Sequence, residues 1–417
     1  MQLLPRLSRA RSGAVIAVLV AVGCSPAGSD ATPRRAVASK PHTVVPSSGG
    51  RPAGIRGLAP VTALTAVPGV PSSLAPTLLA FGFDGPGIYY LYDTATRTGW
   101  RARLPQGYPS RKYRRWQTGP FYGRAERVGD RIAVSVGPKT GAAPRRLFTV
   151  ADDLRGGEST RIPGRGTSFI PTRDGRNMWT FHTVRDHVMA VERDPDSGRA
   201  VKRLALPSPR APVAEVAGGF LTVTTRGNDR ASVLTVIHPN RPGEPTVITR
   251  NADTLLPVLS VRGSLIAWQG PGNCTVCKLK LTNLRIGRTR RVRWRPPQRF
   301  VCDQGALSPD GRWLAVGLGC PRPDGYGRAP VLIVNTATAQ AHLVPGSAEP
   351  LQPVPHWSTD GHWVMWVHAG SRHTTIRAYR PGTRRPRSFT IPRNTPDFMQ
   401  TFAVPGSPSR ALPYNSP

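Results

Sequence analysis

The chain has 417 residues, with 57 Lys and Arg against 23 Asp and Glu, which gives a formal net charge of +34. Gly and Pro make up about a fifth of the chain, against an average near 12%, which argues against a mainly helical protein. Hydrophobic residues at 39% and aromatic residues at 7% still allow a packed core, so wholesale disorder is excluded. No run of 18 apolar residues occurs, and no transmembrane helix is expected.

The first 23 residues predict a lipoprotein signal peptide. Three arginines precede a ten-residue apolar stretch, 13–22, which is too short to cross a bilayer. The stretch runs into Ala21-Val22-Gly23-Cys24, which resembles a bacterial lipobox, in which the cysteine is acylated. We therefore expect Cys24 to carry a lipid anchor that includes palmitate. This anchor would hold the protein at the extracytoplasmic face of the cell membrane. The alternative is an ordinary secretory peptide cleaved near Ala27.

The next segment, 24–58, carries the lipidated cysteine and a Pro-, Ser- and Gly-rich stretch without periodicity, which predicts a flexible tether. From residue 59 to 405 an apolar strand recurs at intervals of 42 to 54 residues, and 406–417 are expected to form a flexible tail. A period of this length, built from short strands, is typical of β-propeller blades. The recurring strands are 78–83, 132–136, 178–182, 220–224, 265–268, 313–316 and 363–367.

Tight turns precede three of these strands. Asp310-Gly311, Asp360-Gly361 and Asp174-Gly175 each lie between apolar stretches, where glycine supplies a positive φ. The S-P-D-G-x-W pattern at Ser308 resembles the repeats of the TolB/WD40-like propeller family. That resemblance implies an all-β fold, a single β-propeller of four-stranded blades, with contacts to other proteins at one propeller face.

Seven blades are favoured, with six as the alternative. The first blade lacks an innermost strand just before 78–83, and the stretch 400–404 would supply one from the C-terminus. Such a latch closes the ring and removes free sheet edges. The stretch 61–67 is the rival for that position.

Four cysteines remain after Cys24, and an even number in an exported domain predicts disulfides. We favour Cys274–Cys277 and Cys302–Cys320 among the three connectivities that Cys274, Cys277, Cys302 and Cys320 allow. A four-thiolate zinc site is the alternative.

The sequence contains no G-x-S-x-G, H-E-x-x-H or Walker motif. We expect no catalytic residues, metal or cofactor. If the channel mouth binds a ligand, the candidate residues are those at the starts of inner strands and in the adjoining loops. They are Arg124, Asp303, Gln304, His356 and Trp357.

The arginines are spread through the whole chain, which favours a high-GC, actinobacterial genome as the cause of the charge. A basic surface that holds an anionic polymer is the alternative. The densest cluster, at 288–295, alternates in a way that predicts a solvated edge strand.

Together these features predict a monomeric, non-catalytic binding module. Its partner would be an envelope protein or an anionic wall polymer, and not a nucleic acid. An exported propeller hydrolase or lyase, acting on a sugar or lactone through the central channel, is the alternative function.

Overall fold

The computed structural model describes residues 58–403, all within the compact unit Pro52–Pro417, with gaps in the loops. Every regular element among them is a β-strand. In this part of the chain no helix is long and apolar enough to cross a membrane. The gaps are 61–72, 75–77, 84–87, 95–97, 104–123, 130, 137–145, 152–159, 164–168, 185–186, 209–210, 226–230, 242, 255–256, 272–276, 295–299, 320–328, 350–352, 369–373 and 392–398.

The strands are short and follow one another through hairpins. The first sixteen, β1 to β16, are Leu58–Pro60, Leu78–Phe83, Ile88–Asp93, Thr98–Arg103, Arg124–Val128, Arg131–Val136, Arg146–Ala151, Thr160–Ile162, Phe169–Pro171, Met178–Val184, His187–Arg193, Ala200–Leu206, Ala214–Val216, Gly219–Thr225, Ser232–Ile237 and Thr246–Ala252. The remaining thirteen, β17 to β29, are Val258–Arg262, Leu265–Gln269, Leu279–Asn283, Arg288–Arg291, Val301–Leu307, Trp313–Gly319, Val331–Asn335, Ala341–Leu343, His356–Trp357, Val364–His368, Thr374–Tyr379, Arg387–Ile391 and Met399–Ala403.

The described strands form seven antiparallel sheets, numbered here in chain order. Sheets 2 to 7 each consist of four consecutive strands, β5–β8 through β25–β28, and sheet 1 has five strands in the order β1-β4-β3-β2-β29. The first strands β5, β9, β13, β17, β21 and β25 contact one another in sequence, and β29 contacts β5. These inner strands therefore line up side by side, as blades do around a propeller axis. The prediction of an all-β propeller with four-stranded blades is confirmed.

Sheet 1 is completed from the C-terminus. Strand β29 pairs antiparallel with β2, with Phe402 opposite Phe81 and Ala403 opposite Ala80. The predicted closing strand is confirmed, displaced by one residue from 400–404. The rival stretch 61–67 lies outside the described residues, as do the predicted signal peptide, Cys24 and the tail. Strand β1, which the sequence placed at the end of the tether, pairs along the outer strand β4.

The Asp-Gly turns are fixed by a repeated set of hydrogen bonds. In the turn before β22, Oγ of Ser308 accepts from the backbone N–H of Trp313 at 3.0 Å and donates to Oδ1 of Asp310 at 2.5 Å. Gly311 in this turn has φ of +70°, which a glycine adopts without steric cost. The turns at Asp174 and Asp360 repeat both bonds, so the predicted hairpins are confirmed.

The core lies between neighbouring sheets. Each hydrophobic cluster combines residues of two successive sheets, because the strands present apolar side chains on both faces. Trp179, Trp268 and Trp366 lie in these clusters with at most 3% of their surface exposed. These tryptophans therefore form core between blades.

Candidate functional site

A polar cavity of about 280 Å³ opens where the inner strands of sheets 2 to 5 end, and we call it the inner-strand cavity. Each of these sheets contributes the end of its first strand or the turn that follows it, so four successive blades converge there. Its charged lining residues are Glu126, Arg127, Arg173, Asp174, Glu215 and Arg262. Three carboxylates therefore face three guanidinium groups, and the lining has no net charge.

Asp174 is held within its own turn. Its Oδ1 accepts a hydrogen bond from Oγ1 of Thr172 at 2.6 Å and another from the backbone N–H of Arg176 at 3.1 Å. These bonds favour the ionised carboxylate and lower the pKa of Asp174 below its ordinary value of 3.8. A carboxyl group in this state is a poor proton donor, because it is ionised at neutral pH.

Glu215 joins sheet 4 to sheet 3 at the rim of the cavity. Its Oε2 accepts from Nε1 of Trp179 at 2.8 Å and from the backbone N–H of Arg173 at 2.9 Å. On the opposite side, Nε of Arg262 donates to the backbone oxygen of Pro309 at 3.0 Å, which joins sheet 5 to the turn of sheet 6. These polar groups hold neighbouring blades together, and the exposed side chain of Arg173 remains directed to solvent at the rim.

The five residues predicted at the channel mouth are not among those that line this cavity. Arg124 is the first residue of β5, whereas the cavity lies at the other end of that strand. Asp303 is the extra residue of a β-bulge in β21, between the pairs Cys302–Leu318 and Gln304–Gly317. The side chains of Arg124 and Asp303 lie outside the described residues. Gln304 is half-buried, and its Oε1 has no hydrogen-bond partner within the described part of the chain.

His356 and Trp357 form the two-residue inner strand β25 of sheet 7. His356 is half-buried. Trp357 has none of its surface exposed, and its Nε1 donates to the backbone oxygen of Ala306 in β21 at 2.8 Å. The structure therefore brings Gln304 and Trp357 into neighbouring sheets, with Trp357 packed into the core between sheets 6 and 7.

The expected cysteine pairing is wrong. Cys277 is joined to Cys302, with 4.8 Å between their Cα atoms, rather than to Cys274. The reason is the packing of the two segments, since the backbone N–H of Cys277 donates to the oxygen of Phe300 at 2.8 Å and places them side by side. The disulfide between Cys277 and Cys302 also removes two of the four thiolates that the alternative zinc site requires. Cys274 and Cys320 lie outside the described residues.

A second polar cluster surrounds Glu349, and no sequence motif predicts it. The carboxylate of Glu349 has no exposed surface and accepts from Nε1 of Trp366 at 3.0 Å, and it pairs with Nε of Arg377 at 3.2 Å. Nδ1 of His368 is hydrogen-bonded to its other oxygen. Glu349 itself follows sheet 6, while its partners belong to β26 and β27 of sheet 7. Among the described residues no three His, Cys, Asp or Glu side chains gather as a metal site.

No protein-family model matches this sequence, and no curated protein matches it. Among solved structures, a variant of the apocarotenoid oxygenase of Synechocystis is similar, with a TM-score of 0.50 and 12% identity over 82% of this chain and 95% of that one. TolB from Acinetobacter baumannii is similar with a TM-score of 0.42 and 14% identity, over 81% of this chain and 83% of that one. Prolyl oligopeptidase B from Galerina marginata gives 0.47 and 11% identity, over 79% and 52%. At these identities the likeness concerns the fold alone, a β-propeller, and not the activity.

Proposed function

We propose that this protein is a non-catalytic binding module, in which a segment of a protein partner docks at the inner-strand cavity. The observation that carries the proposal is the way the cavity uses its carboxylates. Asp174 accepts bonds inside its own turn, and Glu215 holds two blades together. Both groups therefore support the walls of the site rather than a reaction within it.

The rim has the chemistry of a docking surface. Charges of both signs line the cavity, which opens where four blades converge, and the buried side chains of Ile170 and Val261 form part of its wall. A peptide carries the same mixture of charged, polar and apolar groups, whereas a polyanion would meet no net positive charge in this lining. Because the lining carries no net charge, we expect salt to affect such docking much less than it affects the binding of a polyanion to a basic surface.

The proposal includes the predicted location. The lipobox at Cys24 would hold the protein at the extracytoplasmic face of the cell membrane, and the tether would let the propeller reach an envelope protein. The basic, Pro-rich composition supports an actinobacterial source, where that face meets the cell wall. The likeness to TolB-type repeats supports a protein partner, since their propeller faces are expected to make such contacts.

The test is retention of the purified chain on two cell-envelope preparations, one intact and one stripped of protein by protease. We expect retention on the intact preparation only, with little change as salt rises. Arg173→Glu should abolish it, because the exposed guanidinium at the rim would become a carboxylate beside Glu215. Arg384→Glu is the matched control, since Arg384 is exposed in a turn of sheet 7, which contributes no residue to the cavity lining.

Equal loss in the two variants would contradict docking at the cavity. Turnover of a sugar or lactone by the purified chain, lost in Arg173→Glu, would replace this proposal by the hydrolase or lyase alternative.

A further inference from the structure

A second concave site lies at the outer edge of sheet 5, away from the inner strands. Four arginines line a groove of about 1050 Å³ between the outermost strand β20 and the turn that joins β23 to β24 in sheet 6. We call it the arginine groove, and its lining residues are Arg288, Arg290, Arg291, Val292, Arg293, Trp294, Ala337, Thr338 and Ala339. No acidic side chain is among these described lining residues.

The backbone on the two sides of the groove is tied together. The N–H of Arg293 donates to the oxygen of Ala339 at 2.7 Å, and Arg293 forms a parallel bridge with Gln340. A guanidinium N–H of Arg290 also donates to the backbone oxygen of Ala337. The groove is thus a built feature of two adjacent sheets, in which the backbone on both sides and the guanidinium of Arg290 are held without a ligand.

Three of the four arginines are exposed, at 288, 291 and 293, and Arg290 is half-buried. Among the described residues none of them takes part in an ion pair with a carboxylate. Concentrated charge of one sign in a concave surface raises the local concentration of counter-ions. This separates the groove from the general excess of arginine in the chain and from the electrically balanced inner-strand cavity.

The geometry points to a linear polymer as the ligand. Arg288 and Arg290 are two residues apart on one strand, and residues at this spacing are about 6.8 Å apart on the same face. Two cations at this spacing suit consecutive anions of a chain that carries one anion in each repeating unit. Planar guanidinium groups also match the oxygens of a phosphate in two parallel hydrogen bonds.

We propose that the arginine groove binds the phosphodiester backbone of a linear anionic polymer. This inference does not depend on the inner-strand cavity, because the two sites share no residue. The predicted lipobox at Cys24 would place the groove outside the cytoplasm, so the ligand that we propose is a wall polymer of alternating glycerol and phosphate rather than a single-stranded nucleic acid, which presents the same phosphodiester chemistry. The experiment separates these two sources.

The probes are poly(glycerol phosphate), a single-stranded oligonucleotide with the same number of phosphates, polyglutamate, and phosphatidylglycerol vesicles. Their affinities for the full chain would be measured by titration from about 50 mM to about 200 mM salt. We expect poly(glycerol phosphate) to bind more tightly than the oligonucleotide, and the reverse order would contradict a wall polymer as the ligand. The affinity should fall steeply with salt, because each phosphate that the protein neutralises releases counter-ions.

Two double variants test the place of binding. Arg288→Gln with Arg291→Gln should weaken binding about tenfold at low salt, and should reduce the slope of log affinity against log salt by about 0.7 for each phosphate that is no longer neutralised. The matched control is Arg384→Gln with Arg385→Gln, which removes two exposed arginines from a turn of sheet 7. Folding of all variants would be checked by unfolding curves.

Three further results would overturn the proposal. The first is an equal loss of affinity in both double variants, which would mean that net charge alone attracts the polymer. The second is equal binding of polyglutamate, which would remove the role of phosphate. The third is binding to vesicles without binding to either phosphodiester chain, which would make the groove a membrane-binding surface.

Discussion

Nδ1 of His368 donates a hydrogen bond to the carboxylate of Glu349, which is completely buried between sheets 6 and 7. The same carboxylate accepts from Trp366 and pairs with Arg377, so three side chains of sheet 7 converge on one residue that follows sheet 6. A buried carboxylate is tolerated when its oxygens are satisfied in this way. This cluster therefore joins sheets 6 and 7 through the buried carboxylate of Glu349.

We expect Glu349→Ala to lower the free energy of unfolding by about 3–5 kcal/mol, because the half-buried Arg377 would lose its ion-pair partner and the buried Nε1 of Trp366 would lose its acceptor. Chemical denaturation of the variant and the parent protein measures the difference. Glu244→Ala is the control, since Glu244 is exposed, and it should change stability by no more than about 0.5 kcal/mol. A loss below about 1 kcal/mol at Glu349 would contradict the role assigned to the cluster.

Gly317 in β22 is a position at which no side chain fits. A Cβ atom there would lie 1.8 Å from the backbone oxygen of Pro353, which precedes the inner strand of sheet 7. Gly317→Ala should destabilise the protein by at least about 1–3 kcal/mol, since the backbone must move. Gly270→Ala is the matched control, because its Cβ would meet nothing nearer than the flexible end of Lys280, at 3.5 Å. Similar thermal unfolding of both variants would contradict the close approach of the two sheets.

Asp174 makes a pH-dependent contribution to stability. Its folded-state pKa is lowered, first by the bond from Thr172 and then by the N–H of Arg176. The stabilisation is therefore present above the unfolded pKa near 3.8 and is lost as the pH falls through the lower folded value. We expect the difference in unfolding free energy between the protein and Asp174→Asn to be constant near neutral pH and to shrink below pH 3.8.

An NMR titration of the Asp174 carboxyl group tests the cause. Its pKa should rise when Thr172 is replaced by Val, because the hydroxyl donor is removed. A pKa of Asp174 that does not change in Thr172→Val would assign the shift to another group.

The disulfide Cys277–Cys302 closes a loop of 25 residues. Cross-links of this length stabilise by about 3–4 kcal/mol through the entropy of the unfolded chain. We expect a reductant to lower the unfolding free energy by about that amount, and to have no such effect in the variant with both cysteines replaced by Ala. Peptide mapping should recover a peptide pair that joins 277 to 302, and recovery of a 274–277 link would contradict the pairing.

Local patterns in the sequence determined the class of fold. Strands such as Trp313–Gly319 are marked by a short continuous apolar run, and turns such as Asp310-Gly311 by the φ of one glycine. Both are properties of neighbouring residues. The repeat of these units indicated a propeller. The lack of an inner strand just before 78–83 indicated that 400–404 pairs there and completes the first blade. The charge cluster at 288–295 was also visible in the sequence as an edge strand.

Only the tertiary structure decided which residues meet between blades. The bond from Cys277 to Cys302, the burial of Trp357 against Ala306 and the convergence on Glu349 all join segments of different sheets. The arginine groove likewise needs Ala337, which lies 47 residues beyond Arg290 in the chain. Such interactions depend on how one twisted sheet packs against the next. The periodicity of a strand indicates which of its side chains point toward the neighbouring sheet. It does not indicate which residue of that sheet they contact.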